Sequence, residues 1–255
     1  MELASSNRIE NNYLDWKVEL VNDGLVVLPQ IFSRSAIKDI RELILSNLSL
    51  LRNTRAAESS LHLAGFHRYP EFENLHSMLS CNEVVLGFLR YILDGGHVRN
   101  TGITDITINR SQCWHKDLLR GPYESLLQPE VIWKSQGEIF RIVVYLQDSS
   151  QLKIVPGSHR EPISLQSDNE AVPVDNHRIK YISIKAGDVV VMDVRTTHRG
   201  ADEAHFIDYD GGPSILVATT LGSDKSRLTD QLEYGNASRL RDWMNRNYYP
   251  AFDEM

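Results

Sequence analysis

The stretch Gly187-Asp188-Val189-Val190-Val191-Met192-Asp193-Val194-Arg195-Thr196-Thr197-His198 decides how the chain reads. A Gly-Asp pair turns the backbone, the apolar run after it suits a buried strand, and a histidine follows where that run gives out. One candidate ligand therefore sits at the end of a rigid element. Upstream, Cys113-Trp114-His115-Lys116-Asp117 offers two more. If this stretch is a strand end, side-chain alternation puts Cys113, His115 and Asp117 on one face and Trp114 and Lys116 on the other. By itself an HxD pair is either a ligand pair or an ordinary strand end. Joined by His198, it has the two-histidine, one-carboxylate composition that holds non-haem Fe(II) and leaves coordination positions open.

Around these two stretches the sequence is strand-like. Ile103 to Thr107, Phe140 to Leu146, Leu152 to Val155, Tyr181 to Ile184, Val189 to Val194 and Ile215 to Leu221 are short runs rich in β-branched residues, separated by turn signals. That pattern predicts an antiparallel sandwich or barrel. Before Ile103 the period is helical. Asp23-Gly24 stops a first amphipathic segment, Leu25 to Leu28 reads as a short buried strand, and Ser33 is a plausible cap for a helix with Ile37, Ile40, Leu43, Ile44 and Leu48 along one stripe. A further helix is expected from Glu83 to Leu93, ending at Gly95-Gly96, and a closing one from Lys225 to Asn247. With no repeat and no linker-like tract, residues 1–255 read as a single domain, mainly β with flanking helices: a jelly roll, or double-stranded β-helix, of cupin-like form.

Bulk properties exclude some partners. The chain has 255 residues and a formal charge of −7, with no run of lysines and arginines, so it lacks the electrostatic footprint of a nucleic-acid binder. Two cysteines, Cys81 and Cys113, offer no disulfide framework and fit a reducing, cytoplasmic setting. No signal sequence or membrane span is expected. The oligomeric state is open.

A third feature is Tyr145-Leu146-Gln147-Asp148 followed by Val155-Pro156-Gly157-Ser158-His159, which alone is only a turn. In order, the HxD pair, the YL-D segment, VPGSH and the GD-strand-His block resemble the phytanoyl-CoA dioxygenase-like family of Fe(II) and 2-oxoglutarate-dependent oxygenases. Asp23 to Ser33, DGLVVLPQIFS, is similar to that family's N-terminal segment, so the resemblance spans roughly Asp23 to Leu221. It implies a jelly roll with His115, Asp117 and His198 as iron ligands, and 2-oxoglutarate and O2 as cosubstrates. The activity implied is decarboxylation of 2-oxoglutarate to succinate coupled to oxidation, usually hydroxylation, of an unactivated C–H bond in a small organic molecule. Halogenating relatives commonly replace the carboxylate with a small residue, so Asp117 argues for hydroxylation, desaturation or ring formation.

One position departs from the family pattern. Members typically carry an arginine on the strand after the distal histidine, where it grips the far carboxylate of 2-oxoglutarate. Here Ser214 stands at about that position, after the insert ADEAHFIDYDGG. Arg141 or Arg195 could supply the charge instead, or hydroxyls such as Ser214 and Thr219 could replace it. The alternative is a jelly-roll metal-binding protein that has lost 2-oxoglutarate turnover. His159 reads as a turn residue, Trp114 as core, and His62, His67, His76, His97 and His177 as ordinary surface or loop histidines. His205 lies in the insert and reads as a solvated loop residue. Arg120, Tyr123 and Trp133 lie in a segment where a substrate-covering lid is expected, with Arg52 to Tyr69, including Arg55 and Arg68, a weaker candidate for that role.

Overall fold

A computed structural model describes residues 12–53, 60–117, 129–134, 137–161, 176–202, 205–206 and 212–248. Arg55, Arg120 and Tyr123, and most of the insert before Ser214, lie outside these residues.

Helix α1 (Tyr13–Asp23) ends where Gly24 takes φ +84° and returns its N–H to the Leu20 carbonyl, a left-handed cap that glycine adopts without steric penalty. Strand β1 (Leu25–Leu28) follows at once. Ser33 caps α2 (Arg34–Ser46), its Oγ accepting the Ala36 N–H at 3.2 Å. Two short strands, β2 (Arg52–Asn53) and β3 (Leu61–Ala64), were not evident in the sequence, because neither is long enough to show a period. Helices α3 (Glu73–Ser80) and α4 (Glu83–Ile92) precede the long strand β4 (Val98–Ile108). Helix α5 (Pro129–Lys134) and strands β5 (Ile139–Tyr145), β6 (Ser149–Ile154), β7 (Lys180–Ile184), β8 (Val189–Asp193), β9 (His198–Arg199) and β10 (Ile215–Ser223) lead to α6 (Arg227–Tyr248).

The strands form a seven-stranded sheet, ordered β1-β8-β5-β10-β4-β3-β2, and a three-stranded sheet, β7-β6-β9, all antiparallel in their pairings. Alternation sorts the large sheet's side chains. Val144, Ile142 and Phe140 of β5 join Val189 and Val191 of β8 against the helices, whereas Tyr145, Val190 and Met192 point inward and pack on Leu152, Ile154, Ile182 and Ile184 of the small sheet. This is the expected jelly roll, with helices α1 to α4 on the outer face of the larger sheet. By the same parity Arg141, Asp105, Thr220 and His62 belong to the inner face. No helix among the described residues is long and apolar enough to cross a membrane.

Candidate metal centre

The motifs singled out in the sequence meet around the turn between β8 and β9. Gly187, at φ +96°, starts β8; a Cβ there would stand 2.3 Å from the Phe32 carbonyl oxygen, so only glycine fits the approach. Asp188 ties down the same turn by accepting the N–H groups of Gln30 and Lys185. After β8, Thr196 Oγ1 and the Asp193 N–H both donate to the Gly24 carbonyl, joining the N-terminal DG to the loop that carries His198. VPGSH holds the loop's other side. Ser158 Oγ accepts the Thr197 N–H at 2.8 Å, and the Val155 N–H donates to the Thr197 carbonyl at 2.9 Å. The pentapeptide that looked like a plain turn is a clamp on the segment leading to His198.

His115 and His198 face each other through a pair of backbone hydrogen bonds, each of 2.9 Å. The HxD segment is thus an isolated bridge to β9 and not a full strand, though alternation holds: Trp114 is buried, as the core reading expected, and Lys116 turns away to donate to the carbonyls of Ser158, at 2.8 Å, and Arg195. The two imidazoles are set the same way. His115 Nδ1 lies 2.7 Å from the Cys113 carbonyl and His198 Nδ1 lies 3.0 Å from the Thr196 carbonyl. Each Nδ1 is thereby set to donate, and in the neutral ring Nε2 is then the lone pair available to a metal. The Nε2 of His115 is 3.5 Å from Asp117 Oδ1, and that of His198 is 3.9 Å from Asp117 Oδ2. Ligand atoms of all three residues lie within 4.8 Å of one another.

The donor set fits a metal ion. His115 Nε2 is buried and has no hydrogen-bond partner, an arrangement that costs free energy unless a cation or water completes it. Removal from water would raise the Asp117 carboxyl, but His198, His115 and Arg141 outweigh that and hold it far below the usual carboxylate range. Asp117 is ionised at any physiological pH. Two imidazoles, neutral once a metal takes their Nε2 lone pairs, and one carboxylate make the two-histidine, one-carboxylate donor set that suits Fe(II).

The three residues singled out for 2-oxoglutarate end up in different settings. Arg141, on the inner face, brings Nε to 3.9 Å from Asp117 Oδ2 and is also bonded to Asp105 at 2.5 Å and Thr220 Oγ1 at 2.9 Å. Arg195 is fully buried in a closed pair with Asp193 and lines a different cavity. Ser214 opens the approach to β10, its backbone paired with Asn109.

Sequence reasoning missed Asp105. It is 5% exposed and accepts from Arg141, Arg239 of α6 and His62. Burial raises its carboxyl, but Arg239 and Arg141, with His62, overcome this and hold it well below the ordinary range. His62 itself is pushed down to about 4 by burial, so it is neutral and donates its Nε2–H. This corrects its reading as a surface or loop histidine: it is 7% exposed, on β3. The missed signal was strand parity, which aligns His62, Asp105 and Arg141 on one face once the register is known.

No protein-family model matches the chain, and no curated protein is significantly similar to it in sequence. Solved structures are similar in fold. The non-heme alpha-ketoglutarate-dependent epimerase SnoN from nogalamycin biosynthesis aligns with a TM-score of 0.61 at 15% identity, covering 84% of each chain. The carbocyclase SnoK from the same biosynthesis aligns at 0.61 and 18% identity, covering 84% of this chain and 85% of its own. HygX from Streptomyces hygroscopicus, solved with nickel and 2-oxoglutarate bound, aligns at 0.56 and 16% identity over 83% of this chain and 87% of its own. At these identities the likeness is one of fold.

Proposed function

We propose that the protein is an Fe(II) and 2-oxoglutarate-dependent oxygenase that oxidises, and specifically hydroxylates, an unactivated C–H bond of a small organic molecule of secondary metabolism. One observation carries this reading: three ligand-type side chains converge with both imidazoles fixed in the metal-binding tautomer and one Nε2 left unpartnered. The solved neighbours support it, since they include alpha-ketoglutarate-dependent enzymes of nogalamycin biosynthesis.

His115, Asp117 and His198 would hold the iron, which when bound couples decarboxylation of 2-oxoglutarate to oxidation of substrate. The carbonyls of Cys113 and Thr196 keep each ring's Nε2 turned inward, so binding needs no tautomer change. Arg141 stabilises the ionised Asp117 and is the cation we assign to cosubstrate carboxylate, with Asp105 positioning its guanidinium. Charge supports that assignment. Asp105 and Asp117 balance Arg141 and Arg239, and a divalent cation with a dianionic cosubstrate adds no net charge to the buried cluster.

A second reading, a metal-binding jelly roll without 2-oxoglutarate turnover, is favoured by the fact that Arg141's Nη1 and Nη2 donors are already engaged with Thr220 and Asp105. Anaerobic protein given Fe(II) and then 2-oxoglutarate separates the two. The oxygenase reading expects a weak visible charge-transfer band that is missing in His115→Ala and Asp117→Ala. Tight Fe(II) binding with no band at saturating 2-oxoglutarate would establish the second reading, and undiminished Fe(II) affinity in either variant would remove the triad altogether.

A further inference from the structure

Phe140 and Arg141 are neighbours on β5 and point to opposite faces, so the cavity that Phe140 lines lies behind the strand from Asp117. It measures about 260 Å³ and sits where α1 and the end of α4 cover the start of β5. Its walls differ in character. Leu20, Val21, Ile92 and Phe140 give an apolar side, while Lys17, Arg160 and Arg195 bring three cations against one carboxylate, Asp193.

That carboxylate is already occupied. Asp193 Oδ1 accepts from the backbone N–H and Nε of Arg195, and Oδ2 accepts from Arg195 Nη2 and the Gly137 N–H. Arg195 thereby spends one edge of its guanidinium and keeps the other. Its Nη1 has no hydrogen-bond partner although the residue is 0% exposed. Lys17 and Arg160 are only loosely engaged: Lys17 stands 3.9 Å from the exposed Asp94, and Arg160 donates at 3.3 Å to the Asn22 carbonyl. A cavity with a buried unused guanidinium donor, two cations at its rim and an apolar side has the complement of an anion that carries an apolar body.

We infer that this cavity binds a small organic carboxylate with a short aliphatic or single-ring body, in a compartment separate from the candidate metal centre. The carboxylate sits toward Arg195 Nη1, drawn by the charges of Lys17 and Arg160, and the body lies on Leu20, Ile92 and Phe140. Neither the iron nor 2-oxoglutarate is needed for it, so it stands or falls independently of the proposed activity.

Benzoate titrated into metal-free protein is the probe, followed by calorimetry and by amide shifts, with inorganic phosphate as the second ligand. Saturable one-to-one binding is expected, with shifts centred on Val21, Ile92 and Gly137 and not on Arg141 to Tyr145. Ile92→Trp fills the cavity without touching a cation and abolishes binding; if that variant fails to fold, Lys17→Gln with Arg160→Gln, both at the rim, weakens it at least tenfold. The inference is overturned by any of four results: no saturation at tens of millimolar benzoate, phosphate binding as tightly as benzoate, shifts centred on β5's inner face, or full affinity in the folded variants.

Discussion

Arg141 and Arg195 are both buried, both paired with an aspartate, and interchangeable as sequence candidates, yet the two faces of the sheet use them differently. Arg195 grips Asp193 two residues away along its own chain, and that carboxylate's other partners are backbone N–H groups. The pair fixes a turn on the face away from Asp117 and leaves only Nη1 of Arg195 unpaired. Arg141 reaches across strands to an aspartate that α6 also holds through Arg239, and its remaining nitrogen lies 3.9 Å from Asp117. Its charge is shared among partners that could trade places when a ligand arrives. The difference teaches that burial and pairing do not by themselves mark a functional arginine. What matters is whether the partners leave an edge toward a reacting group.

The strongest way to break this comparison is to remove the two aspartates in turn. Asp105→Asn strips the anion from two buried guanidiniums, and a severed buried pair costs about 3–5 kcal/mol; urea unfolding should register a loss of that order together with weakened Fe(II) binding. Asp193→Asn should cost stability on a similar scale while the folded protein keeps its iron affinity. Equal loosening of iron by both substitutions would mean that the two faces are not separate. A smaller effect is expected from Arg141→Ala. One charge-assisted hydrogen bond is worth roughly 1.5–3 kcal/mol, so the apparent 2-oxoglutarate requirement should rise about tenfold or more, with no such rise in Asp193→Asn. An unchanged requirement in Arg141→Ala would leave Ser214 and its neighbours to bind the cosubstrate.

These contrasts also explain what the sequence could and could not convey. The longer strands, and the three residues that the fold brings together, were legible because their signals are local: β-branched runs show a strand within a few residues, and His115, Asp117 and His198 each stand beside a turn or strand end. Ordered motifs were legible as a set, but what they do was not. That Ser158 clamps Thr197, and Thr196 the Gly24 carbonyl, depends on packing between residues far apart in sequence. Asp105 was invisible for the same reason. A lone aspartate in Ile103 to Thr107 breaks a strand pattern, and only the pairing of β4 with β10 and of β10 with β5 reveals that Arg141 is there to neutralise it.

Lys116 sharpens the comparison at its smallest scale, because it is a third buried cation and it donates to two carbonyls, those of Ser158 and Arg195. Burial lowers its ammonium from 10.5 to about 7, against the opposing pull of Asp193. The sign follows from proton counting. Between about pH 7 and pH 10.5 the unfolded chain holds this proton and the folded chain releases it, so stability rises with pH in that window, by at most about 1.4 kcal/mol per pH unit for one group. Below about pH 7 both states are protonated and the contribution is flat. Lys116→Met removes the titrating group and should flatten the slope of unfolding free energy between pH 7 and 9 relative to the parent, both measured as metal-free protein. If the slopes coincide, Lys116 keeps its proton in the fold and the carbonyls of Ser158 and Arg195 help to stabilise a full buried charge.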